Sequence, residues 1–294
     1  MEEHHYPALY QQSDSLALNA RRKYFHLTIV KILILIIVAI ITSIAWVQQP
    51  SLRTQATIVL TILLVLSISL TSIMSYRRFD RIWFVSRAIA ESVKAETWKF
   101  MMKAGQYQGI SANSEAKNRF FDSLKQILNQ QSEIVLHLNP NFQEMEQITE
   151  NMERIKNETF ENRLNYYIQN RIRDQMLWYG KKAIWNRTQE YRWFVITWIL
   201  EILAVVVAVL MIVQPEGIVN PVSLIMATGA GVLSWINARS YSEPAQSYAC
   251  VAQQLALLEG RAKNVSNENE LATIVLDVEE TIRKEHSIWV ARLL

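Results

Sequence analysis

The sequence is poor in the residues that carry covalent and metal chemistry. One cysteine, Cys250, stands among 294 residues, so no internal disulfide can form and no thiolate zinc cluster is available. It has no neighbouring base and is expected to pack as a small apolar group. The five histidines, His4, His5, His26, His137 and His286, show no paired helical ligand spacing. The first two sit near a terminus expected to be loose, and His286 beside Glu285 reads as a surface pair. Gly229-Ala230-Gly231 with Ser234 falls one residue short of a dinucleotide fingerprint and lies inside an apolar run, and there is no phosphate-binding loop. No cofactor is expected, and the chain reads as something other than an enzyme.

Charge is scarce in a second sense, because it is missing from four long stretches. Half of the residues are apolar, 19% are charged and the mean hydropathy is +0.05, but the apolar residues are gathered rather than spread. The run 27–47 holds a single charge, Lys31, and is long enough to cross the roughly 30 Å hydrocarbon core of a bilayer. The polar residues that precede it, and its length, argue for an uncleaved helix rather than a signal peptide. A second run, 58–74, follows a connection carrying Gln48, Gln49, Pro50, Arg53 and Gln55. The pattern recurs with runs at 193–213 and 218–236, joined by Gln214-Pro215-Glu216-Gly217; Asn220 is placed to cap the last helix, with Pro221 at its first position.

The net charge of +3 becomes informative once it is mapped. Arg21, Arg22 and Lys23 precede the first run, Arg77, Arg78 and Arg81 follow the second, Lys181, Lys182, Arg187 and Arg192 precede the third, and Arg239 follows the fourth; the outer turns hold Arg53 alone. By the positive-inside rule both termini and the region between the hairpins are expected in the cytoplasm. The glycosylation-like triplets at Asn157, Asn186 and Asn264 then lie on the wrong side to be used. Basic residues beside a bilayer are explained by anionic lipid, so no nucleic-acid partner is expected.

The hairpins read as two copies of one unit. ARRKYFHLTIVKILILIIVAI at 20–40 lies over QEYRWFVITWILEILAVVVAV at 189–209, and each hairpin is followed by a helix with a small and apolar stripe, from Trp83 and from Tyr248. Between the hairpins the chain reads as helix, broken at 105–114 and at Asn139-Pro140-Asn141. Met145, Ile148, Met152 and Ile155 form a helix-packing face. The stretch RLNYYIQNRIRDQMLWYGKKAIW has no breaker other than Gly180 and leads straight into the third run. The tail from Asn267 is another amphipathic helix, with Glu280 and Lys284 four apart. The expected fold is an all-α membrane protein of four transmembrane helices in two hairpins with a cytoplasmic helical bundle, divided as residues 1–140 and 141–294.

Five segments resemble a known family: the basic-aromatic start of each of the two hairpins, AIAESVKAETWKFMMKAGQY after the first, NRLNYYIQNRIRDQMLWYGKKA before the second, and VEETIRKEHSIWVAR at the end. They are similar to the SLATT family, the SMODS and SLOG associating two-transmembrane effectors of bacteria, and the chain resembles two different SLATT units in tandem. The resemblance implies a membrane effector of nucleotide-signalled anti-phage defence that perforates or depolarises the membrane. No nucleotide synthase or sensing module is fused to the chain, so a nucleotide second messenger would act through a separate sensor protein or on the cytoplasmic helices themselves. The alternative is a non-conducting scaffold that recruits a cytoplasmic partner.

Several residues are candidates for function. Glu201 lies about 12 Å along the third run, where an ionised carboxylate is costly unless it meets water, a cation or a proton. It reads as a pore-facing or gating acid, a protonated carboxyl hydrogen-bonded between helices, or a partner for Lys31, whose stem can also snorkel to the interface. Ser67 and Thr71, with Ser69, Ser72 and Ser75, either line a wet path or bond to their own helix. Ala227, Gly229 and Gly231 allow close helix approach. Tyr166, Tyr167, Trp178 and Tyr179 with Arg171 and Arg173 either stack a signalling base or serve as packing and belt residues. Four spans can hardly enclose a lumen while satisfying their own packing, so conduction requires a homo-oligomer.

Overall fold

A computed structural model describes residues 3–45, 50–138, 146–213 and 221–291; its regular elements are all helical, with no strand among the described residues. In chain order they are α1 (Ala8–Ala45), α2 (Pro50–Arg77), α3 (Phe79–Met101), α4 (Asn113–Gln130), α5 (Ser132–Val135), α6 (Glu150–Lys156), α7 (Phe160–Tyr167), α8 (Asp174–Val213), α9 (Pro221–Arg239), α10 (Ser242–Ala262) and α11 (Glu268–Ala291). Four of these, α1, α2, α8 and α9, are long and apolar enough to cross a membrane. Pro50 and Pro221 each stand at a first helical position, where the missing N–H has no intrahelical partner to lose. The proposed Asn220 cap, the connections at Gln48-Gln49 and Gln214–Gly217, and the Asn139–Asn141 break lie outside the described residues.

The two hairpins share a structural signature at their exits. Arg78, at the end of α2, has φ +43°, and Ser240, at the end of α9, has φ +49°. A non-glycine residue rarely adopts this left-handed conformation. Each closes the helix before it by donating its N–H to the carbonyl four residues back, Met74 at 3.0 Å and Ile236 at 2.7 Å. The internal repeat read from hydropathy thus extends to a backbone device at equivalent places. A third break ends α3: Lys103 (φ +55°) and Gly105 (φ +60°) turn the chain into a short 3-10 helix, Gly105–Tyr107. A Cβ at Gly105 would stand 3.2 Å from Leu276 Cδ2, so a side chain there would be strained by its backbone conformation and would press on Leu276.

The chain forms two compact units that do not follow its order. The first, a polar unit, gathers residues 1–21, 80–184 and 245–294. Its core is built from Trp98, Phe100 and Met101 of α3, Phe120 of α4, Met152 of α6, Leu255 of α10, and Leu271, Val275 and Val278 of α11. Each large apolar side chain buried in this way contributes about 1.5–3 kcal/mol. The N-terminus, expected to be loose, belongs to this core instead: Tyr6, Leu9 and Tyr10 are buried. The reason lies in residues 146–149. The N–H groups of Ala8 and Leu9 donate to the Glu146 carbonyl and to Gln147 Oε1, both at 3.2 Å, and the Thr149 hydroxyl donates to the His5 carbonyl at 2.9 Å. These contacts satisfy the open donors at the start of α1. They also explain why α6 begins only at Glu150, where Thr149 accepts from the Met152 N–H, although Met152 and Ile155 are buried as the expected stripe requires.

The second, apolar unit gathers residues 22–79 and 185–244. Here α9 runs antiparallel to α1: Phe25 meets Trp235, Ile32 lies against Gly231, and the hydroxyls of Ser43 and Ser223 share a hydrogen bond of 2.8 Å. Trp193 of α8 faces Trp235 with ring centroids 6.4 Å apart, and Lys23 lies over Phe79. The packing is thin. No residue between Arg53 and Arg77 of α2 is buried: Ala56, Leu60, Leu63, Ser67, Leu70 and Met74 are half-buried along one face, and the apolar side chains on the rest of the helix are exposed.

Candidate functional site

Candidate residues in the apolar unit fall into touching and uncovered groups. Gly231 is buried, and a Cβ built there would approach Ile32 Cγ2 to 2.9 Å, whereas one at Gly229 would meet nothing within 4 Å. Of the three small residues read as a packing seam, Gly231 makes the close approach, Gly229 does not, and Ala227 is half-buried. Thr71 donates to the Ser67 carbonyl and Ser69 to the Val65 carbonyl, each at 2.9 Å, which is the own-helix reading of these hydroxyls. Glu201 is exposed on α8 and Lys31 half-exposed on α1. Among the described residues neither has an ion-pair partner, so the pairing of Glu201 with Lys31 is not made within one chain.

The polar unit shows the opposite condition. Between α7 and α8, residues Ile168–Arg173 form a π-helical turn, whose extra residue per turn lets Tyr167, Ile168, Arg171 and Ile172 all enter the core. Arg171 donates through Nε to Glu279 Oε1 at 2.9 Å and through Nη2 to Glu279 Oε2 at 2.5 Å, and both side chains are 1% exposed. The Tyr167 hydroxyl donates to the same carboxylate at 3.0 Å. Burial by itself pushes the Arg171 pKa down; the Glu279 carboxylate more than reverses this and holds it above the ordinary value. For Tyr167 burial and Glu279 act together, and the phenol stays protonated. Arg171 Nη1 is buried with no hydrogen-bond partner, a cost the pair carries.

Further charges surround this pair. Arg87 of α3 bridges Asp14 of α1 at 2.6 Å and Glu91 at 2.5 Å. The Lys94 ammonium lies over the rings of Tyr6 and Tyr10, 5.4 and 5.7 Å from their centroids. Burial lowers the Lys94 pKa, opposed in part by Glu91. Trp98 Nε1 donates to the Tyr6 hydroxyl at 3.2 Å, and Tyr179 donates to Glu285 at 3.5 Å. The segments that carried the family resemblance meet here: Glu91 and Lys94 from the first, Tyr167, Arg171 and Tyr179 from the second, Glu279 and Glu285 from the third.

This arrangement bears on the two readings of the six residues, base stacking or packing. Tyr167, Arg171 and Tyr179 are closed off in the core, with their polar atoms directed to Glu279 and Glu285. Arg173 turns away to Glu259 at 2.6 Å, and its guanidinium holds that carboxyl below the ordinary value. Trp178 packs on Tyr248. Tyr166 alone of the six lines an open groove of about 370 Å³, with Arg154, Glu158, Asn162, Gln169 and Asn170 among its other walls. Cys250 is exposed on α10 rather than packed. Among the described residues no cluster of histidine, cysteine and carboxylate side chains could hold a metal ion.

Family models match the chain along two consecutive stretches. Residues 7–164 match SMODS and SLOG-associating 2TM effector domain 3, and residues 167–289 match SMODS and SLOG-associating 2TM effector domain 1. The junction between the two matches falls in α7, just ahead of the π-helical turn. Each stretch supplies one pair of apolar helices, and both stretches contribute to each compact unit. No curated protein and no solved structure matches the chain. Effector domains of this kind are associated with defence systems. The chain belongs to the SLATT family, and it carries two different SMODS and SLOG-associating two-transmembrane effector domains in tandem.

Proposed function

We propose that this chain is a multi-pass inner-membrane effector of nucleotide-signalled anti-phage defence, that it acts without catalysing a reaction, and that copies of it assemble into a pore that depolarises the membrane. Both termini and the polar unit lie in the cytoplasm in this reading. One observation carries it: Glu201 stands uncovered on an apolar helix, where a lone carboxylate in lipid is costly and a second copy or a water-filled path removes that cost. Self-association also covers the apolar side chains of α2 that the single chain leaves exposed, such as Ile62, Val65 and Ile68. The trigger, a nucleotide second messenger or a separate sensor protein, reaches the spans through α8, which runs without interruption from the π-helical turn to Val213.

Reconstitution into liposomes tests the reading. Purified protein is expected to release a trapped ion gradient in the activated state, and Glu201→Gln to change the rate with expression and fold unchanged. A folded oligomer that releases no ions with or without trigger would instead favour the scaffold, in which the spans only anchor a recruiting bundle.

A further inference from the structure

One end of the apolar unit concentrates positive charge that the chain does not neutralise. Ring contacts gather the ends of the apolar runs there: Phe25 at the start of the first run meets Trp235 and Arg239 at the end of α9, Trp193 at the start of the third meets Trp235, and Phe79 after α2 meets Lys23. The same segments carry Arg22, Arg77, Arg78, Arg187 and Arg192, all exposed, and among the described residues none of the five has a carboxylate partner. In the polar unit, by contrast, exposed arginines such as Arg119, Arg261 and Arg283 each hold an acid. Like charges gathered in this way repel, and an external anion relieves them. The nearby rings identify which anion. Tyr76 and Tyr191 are exposed and Trp193 and Trp235 half-exposed at the same end, the amphipathic belt that sits at headgroup depth.

We infer that this end of the apolar unit is a binding collar for anionic phospholipid, with Arg22, Arg77, Arg78, Arg187 and Arg192 contacting headgroup phosphates. The inference rests on the reading of the four apolar helices as membrane spans. A cation at such a surface changes lipid affinity about fivefold, and the guanidinium fork suits a phosphate better than an ammonium does.

The test uses the full chain in vesicles of mixed phosphatidylglycerol and phosphatidylcholine, extracted with detergent, with the retained lipid counted by mass spectrometry. Wild type is expected to enrich phosphatidylglycerol, the combined Arg77→Gln, Arg78→Gln, Arg187→Gln, Arg192→Gln variant to lose fivefold or more of that enrichment, and an Arg261→Gln, Arg283→Gln control to keep it. Enrichment in the wild type should also fall as salt rises, a readout that needs no variant. Wild type without enrichment, enrichment indifferent to salt, or preferential capture of RNA over vesicles overturns the collar. Alkaline carbonate extraction separates the two levels: protein stripped from the vesicles refutes the spans and the collar together, whereas protein that stays but shows no lipid preference refutes the collar alone.

Discussion

Arg171 and Glu201 are both charges in places where charge is expensive, and the chain treats them differently. Arg171 is enclosed with Glu279 and Tyr167 in the polar unit, every contact supplied by the same chain. Glu201 stands outward on α8, with no ion pair among the described residues. The contrast holds more widely, since Arg87, Lys99, Arg163, Arg173 and Arg261 of the polar unit each meet an acid, whereas Arg22, Arg77, Arg78, Arg187 and Arg192 of the apolar unit do not. Charges satisfied internally tie helices of one chain to each other; for those without an ion pair the proposed partner lies outside the single chain.

The largest test of this contrast strands one member of the buried pair. Arg171→Met or Glu279→Gln is expected to destabilise the detergent-solubilised protein by about 3–5 kcal/mol, read as a fall in Tm. Replacing both residues with methionine and leucine should recover most of that loss; a double variant as unstable as the singles would mean that Tyr167 or the π-helical turn, not charge, sets the stability. Gly231→Ala comes next, at about 1–3 kcal/mol, because the new methyl meets the stiff, branched Ile32. Gly229→Ala, with open space around it, should gain about 0.5–1 kcal/mol from helix propensity, and equal effects at the two glycines would show that the α1–α9 contact is not close.

Lys94 offers a pH-dependent form of the same comparison. Its pKa is lowered by burial, so the unfolded state binds more protons than the folded state between the folded value and the ordinary 10.5. The cost of the buried ammonium is therefore present at low and neutral pH and is relieved as pH rises through the folded value. Lys94→Met should raise Tm at roughly pH 7, and this advantage should shrink towards roughly pH 10. The smallest effect on stability belongs to Glu201→Gln, within about 0.5 kcal/mol, although ion release should change. A large loss of stability there would show that Glu201 already has a partner.

The apolar unit was more legible in the sequence than the polar one. Four runs and Pro221 at a helix start are local signals, and the structure has helices long and apolar enough to span over the described part of each run; the break at Gly105, in the polar unit, is equally local. What escaped was long-range or low-contrast. The start of α1 buries Leu9, Ser13, Ala17 and Ala20, a face too small and too polar to stand out as a core stripe. The pairing of Arg171 with Glu279 spans 108 residues, and no local pattern announces it; the π-helical turn likewise has no compositional mark. For Tyr167, Arg171 and Tyr179 the sequence leaves both a ligand and a packing role open, because it does not show that Glu279 and Glu285 occupy their polar atoms.

From Phe160 to Val213 the backbone coils without a pause, through α7, the π-helical turn and α8. One residue added or lost between Trp193 and Glu201 would turn everything beyond it by about 100°, leaving the carboxylate on another side of its helix while the contact of Trp193 with Trp235 stayed intact. What this part of α8 must preserve between its ring and its exposed glutamate is an angle.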